Sequence, residues 1–144
     1  MGCHAVDANA CRQIDRENSM VDKILFFFIH QILIMRGQFQ KAKDLCLRRI
    51  EKNPSEKLAY VLLGHTYLKS GEYKQAANQY KILLDMDHSD VMNYYNILQA
   101  LFRAKEYEQV IQIGTECVKE ELSDRRRIVY RNLHPDIYWY VAQS

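Results

Sequence analysis

An all-α fold, an array of about three helix-turn-helix repeats, is predicted by three observations. Glycine and proline are scarce, five and two in 144 residues, whereas a β-sandwich of this length needs many more turn residues. Apolar residues recur at helical spacing. Large and small residues return at a fixed step of 34: Gly37 to Gly71, Ala42 to Ala76, Phe26 to Tyr60 to Tyr94, Leu33 to Tyr67 to Leu101, and Phe39 to Tyr73 to Tyr107. Residues 22–122 carry this step and divide into copies at 22–55, 56–89 and 90–122. Residues 1–21 read as a polar segment, expected to be flexible, and residues 123–144 as a basic connection followed by a C-terminal capping helix or a truncated fourth repeat.

The first copy opens on "ILFFFIHQILIM" (24–35), apolar nearly all round, the mark of a buried helix. At about twelve residues, interrupted by His30 and Gln31, it is short of the ~18 needed to span a membrane. Phe26, Ile29, Leu33, Gly37, Phe39, Ala42 and Pro54 mark the first copy. In the second, Ser55 is expected to cap a helix from Glu56 to Lys69, with Tyr60, Leu63, Gly64 and Tyr67 along one stripe. Ser70-Gly71 ends it, because glycine accepts the left-handed conformation of a helix terminus. A second helix follows from Glu72 to about Asp87, with Tyr73, Ala76, Ala77, Tyr80 and Leu83. Gly64 and Ala76 are small where the two helices must approach closely, and Tyr60, Tyr67, Tyr73 and Tyr80 fill the space around the crossing. The third copy (Tyr94, Ile97, Leu101, Tyr107, Val110) departs from the pattern. Lys105 stands where glycine is expected, Gly114 where an aromatic is expected, and the closing proline is missing.

This alternation at a 34-residue step resembles the tetratricopeptide repeat. The resemblance covers 22–122 and is strongest in the second copy. It implies a right-handed superhelical stack of helix pairs, a concave face lined by the first helix of each pair, and a protein or peptide partner on that face. The groove positions lie one and two places beside the packing stripe. They are Ile24, Phe27, Gln31, Ile34 and Met35, then Leu58, Val61, His65, Leu68 and Lys69, then Met92, Tyr95, Gln99, Phe102 and Arg103. One subfamily clamps the C-terminal carboxylate of heat-shock chaperones. The matching slots here hold Phe27, Gln31, Leu62, Met92 and Asn96, without the two cations that carboxylate capture requires.

At the C-terminal end, "RRRIVYRNL" (125–133) breaks the period. Arg125, Arg126, Arg127 and Arg131 there form the one basic concentration, and "HPDIYWYVAQS" (134–144) reopens a helix. Tyr138, Trp139 or Tyr140 is expected to fill the room beside Gly114. The chain shows no nucleophile motif, phosphate loop or metal-ligand pattern, and Cys3, His4 and Cys11 fit no zinc spacing well. No enzyme activity, cofactor or metal is therefore expected. A net charge of +2 is too small for the footprint of a nucleic-acid binder. Cys46 and Cys117 fall among helical apolar residues, as reduced core thiols do. The lipid-anchor pattern fails at Val6, and no secretory signal is recognised, so the expected location is intracellular, in the cytoplasm with the nucleus as an alternative.

Two functional readings follow. In the first, the chain is an adaptor or chaperone that takes an apolar helix or peptide into the concave groove. In the second, it is a structural scaffold subunit, self-associating as a homodimer through its first helix or part of a larger assembly of the ubiquitin-ligase or acetyltransferase-auxiliary type.

Overall fold

The structure is a computed structural model and describes the backbone of residues 8–87 and 90–119. All six elements among the described residues are helices: α1 (Ala8–Met35), α2 (Phe39–Lys52), α3 (Lys57–Ser70), α4 (Tyr73–Met86), α5 (Val91–Arg103) and α6 (Tyr107–Lys119). Each packs against its chain neighbour, and α1 also reaches α3. They form three helix pairs, as the 34-residue step predicts.

The same turn recurs between the helices of each pair. Gly37, Gly71 and Lys105 occupy one slot of the period and all have positive φ, at 68°, 81° and 62°. The left-handed residue lets the following amide reach back to a carbonyl near the helix end: Gln38 to Leu33, Glu72 to Tyr67 and Glu106 to Leu101, at 2.8–3.0 Å. Lys105 adopts this conformation against its own steric preference, so the missing glycine leaves the fold unchanged.

At the α3–α4 crossing, a Cβ added to Gly64 would lie 2.8 Å from Cζ of Tyr80, so the absent side chain is what admits the buried ring. The equivalent slots in the other copies are His30 with Cys46 and Leu98 with Gly114. All six residues are buried. The two slots hold a large and a small residue in the first pair, a small and a large in the second, and a large and a small again in the third. Volume across the slot pair is kept while its distribution reverses, as close packing demands.

The core lies in two adjoining clusters. Tyr60, Ala76, Tyr80, Leu83, Ile97, Leu101 and Val110 join α3 to α6. Phe26, Cys46, Ala59, Leu62 and Leu63 join α1, α2 and α3. Cys46 is a free thiol that burial pushes up to about 12, which keeps it unreactive near neutral pH.

Two local expectations are corrected. α1 begins at Ala8, well before the boundary at residue 22. The run from Ala8 contains no glycine or proline, and its alanine, arginine, glutamine and glutamate favour helix. Ser55 does not cap α3. Glu56 is the residue before the first turn, and the Ser55 hydroxyl donates instead to Oδ1 of Asn53 at 2.8 Å. The arginine cluster, the helix expected over 134–144 with its aromatic residues, and Cys3 and His4 lie outside the described residues, while Cys11 falls within the backbone of α1.

Candidate interaction surface

The first helix of each pair supplies the candidate surface, and α1 contributes most of it. The helix is seated by two contacts. His30 is fully buried, and its Nε2 lies 2.7 Å from Oγ1 of Thr66 on α3. The Thr66 hydroxyl donates its single proton to the Leu62 carbonyl at 2.9 Å, so it accepts from His30, which places the imidazole proton on Nε2. Nδ1 of His30 and Nδ1 of His65 are both buried without a hydrogen-bond partner among the described residues, and the two rings are 6.1 Å apart. Burial lowers both pKa values below the ordinary 6.5. The neighbouring His65 adds to the effect at His30, and Lys69 adds to it at His65.

The second contact is Arg49 on α2. Its guanidinium meets Asp22 of α1 at 2.5 Å, binds the buried Glu56 carboxylate at 2.9 and 3.3 Å, and lies over the Phe26 ring with its centre 4.8 Å from the centroid. One planar cation thus ties α1, α2 and the α2–α3 turn together. Asp22 and Arg49 identify the α2 side of α1, and His30 identifies the α3 side.

The sequence-derived groove residues divide by exposure. Ile24, Phe27, Met35, Val61, Lys69, Met92 and Arg103 are exposed, while Gln31, Ile34, Leu58, His65, Leu68, Tyr95, Gln99 and Phe102 are half-buried. Several of the second group are partly committed to the interior. Leu68, Tyr95 and Phe102 pack against the larger core cluster and Leu58 against the smaller one. Gln99 donates to the Tyr95 hydroxyl at 2.5 Å, and the Arg103 guanidinium stands 6.0 Å from the Tyr73 ring centroid.

Most of the open apolar surface is elsewhere on α1. Nine of the fourteen large hydrophobic residues exposed among the described residues belong to this helix, so it outweighs α3 and α5 together. Val21, Leu25, Phe28 and Ile32 lie opposite His30 and were not among the groove positions predicted from sequence. The four-and-three spacing of these residues is the signal that could have found them.

No described helix is long and apolar enough to cross a membrane, and no described group of three or more His, Cys, Asp or Glu could hold a metal ion. No protein-family model matches the chain, and no curated protein matches it. Among solved structures, it is similar to "MamA RS-1 ArsTM double mutant", with a TM-score of 0.62 and 17% sequence identity over 84% of this chain. The match spans 64% of the length of that protein. The chain is thus an all-α, tetratricopeptide-like helical repeat.

Proposed function

We propose that the chain is a protein-interaction module, an adaptor or chaperone that takes a partner's apolar helix or extended segment against the side formed by α1, α3 and α5. The observation that supports this is that Phe27, Val61 and Met92, one on the first helix of each pair, keep large apolar side chains exposed. Such a surface gains free energy on being covered, at ~25 cal/mol per Å2 before the costs of association. Capture of a C-terminal carboxylate is not part of the reading, because Phe27, Gln31, Leu62, Met92 and Asn96 provide no cation. Nor is a catalytic role, since helical repeats of this kind typically serve as non-enzymatic interaction scaffolds.

The test is selection of peptides from a displayed random library on the immobilised full chain, followed by binding measurements with Phe27→Glu, Val61→Glu and Met92→Glu variants. Enrichment of apolar, helix-forming peptides whose affinity falls tenfold or more in these variants is the expected result. Binders that are indifferent to all three changes would remove the inner side as the site.

A further inference from the structure

The outer face of α1 is distinct from the inner side just described and shares with the predicted groove positions only Met35 at its C-terminal end and Ile24 at its edge. Val21, Leu25, Phe28, Ile32 and Met35 follow one another at steps of four, three, four and three residues, the alternation that places side chains along a helix–helix seam. At 3.6 residues per turn they occupy an arc of about 80° centred opposite the buried His30. Their exposures are 63%, 56%, 57%, 47% and 85%, against 0% for His30. The seam covers about 20 Å of helix at 1.5 Å per residue. Ile24 and Ile29 flank it and are exposed as well.

We infer that this seam is the contact between two copies of the chain, joined around a two-fold axis with α1 against α1. Two observations select a second copy. The first is size. Seven side chains of this bulk, each about half open, leave on the order of 800 Å2 of apolar surface per copy, the share one partner brings to a standard interface. The second is charge. Residues beside such a seam set partner choice through their charges; between Val21 and Met35 the charged residues are Asp22, tied to Arg49, and Lys23, each about 100° or more from the seam's centre, so two identical faces meet without repulsion. A two-fold contact covers the seams of both copies at once, since the same residues serve each side. The inference does not depend on what occupies the inner side of α1, α3 and α5.

The test is sedimentation equilibrium of the full chain at tens of micromolar, with Leu25→Gln, Phe28→Glu and Val61→Glu variants and circular dichroism on each. The expected result is a wild-type mass twice 17.1 kDa, reduced to one copy in the Leu25 and Phe28 variants with helicity kept, and unchanged in Val61→Glu. Leu25→Gln carries the test if Phe28→Glu loses helicity. A monomeric wild type, an assembly larger than two copies, a dimer indifferent to Leu25→Gln, or a dimer broken equally by Val61→Glu would each overturn the inference. Loss of peptide binding in the Val61 variant with the dimer intact separates the two surfaces.

Discussion

Lys105 does the work of a glycine at a cost. A non-glycine residue at positive φ is disfavoured by roughly 1–2 kcal/mol, and Lys105 is exposed to solvent. Lys105→Gly is therefore expected to raise stability by about 1 kcal/mol, even though glycine adds conformational freedom to the unfolded chain. Gly71→Ala, where a Cβ meets nothing within 4 Å but φ is 81°, should lower it by a similar amount. Chemical denaturation of the two variants checks the pair of opposite signs. The reversed slots make a second residue-level prediction. Cys46→Tyr should cost about 1–3 kcal/mol by overpacking the slot that His30 already fills. Adding His30→Gly recreates the Gly64 and Tyr80 arrangement of the next repeat, so the double variant should lose less than the sum of the singles by about 1 kcal/mol. Strict additivity in the cycle would show that the two positions do not share space.

At the scale of the element, α1 is held by the Arg49 clamp and the histidine seat. Arg49→Ala leaves the buried Glu56 carboxylate without its cation and should cost about 2–3 kcal/mol in equilibrium unfolding. Arg49→Lys should recover less than half of this, because one ammonium cannot fork to Asp22 and Glu56 while covering the Phe26 ring. The seat makes stability depend on pH. His30 and His65 have native pKa values below 6.5, so near and below that pH the unfolded chain binds more protons than the native one. The stabilisation is complete above pH 6.5 and declines as pH falls from 6.5 towards the native values. Melting temperature should drop between pH 7.5 and 5.5, and replacing both histidines by glutamine should flatten that slope. The carboxylates act in a lower window. Asp22 is held down by Arg49, Glu72 by Ser70 and Lys43, and Glu106 by Lys74, so their contributions fade only below about pH 4.5. The 34-residue step made the three turns, the Gly64 crossing and the helix pairs readable, because each depends on residues at a fixed separation. The histidine seat was hidden, because His30 lies 36 residues from Thr66, off the 34-residue step, and His30, His65 and Thr66 are each unremarkable alone. Ser55 misled for a related reason: the side chain of Asn53 competes for its hydroxyl.

Across the whole molecule, stability should be graded along the stack. In a helical repeat, each unit is held by its neighbours, so local opening depends on how many sides are covered. α4 lies between α3 and α5 and buries Ala76, Ala77, Tyr80 and Leu83. α1 is covered by α2 and α3 along one side, where Phe26 and His30 are buried, while its opposite side is open in a single copy. In dilute solution, amide hydrogens of residues 24–35 should therefore exchange well before those of residues 76–83. Pairing through the α1 seam would reverse part of this gradient. Protection between Val21 and Met35 should rise with protein concentration by the free energy of association, whereas α4, already opening through global unfolding, should change less in rank. Hydrogen exchange followed by mass spectrometry at two concentrations reads both statements at once. Equal protection of α1 and α4 in the dilute sample would contradict the gradient. A gradient with no dependence on concentration would leave α1 as a loosely held end and remove the second copy from its outer face.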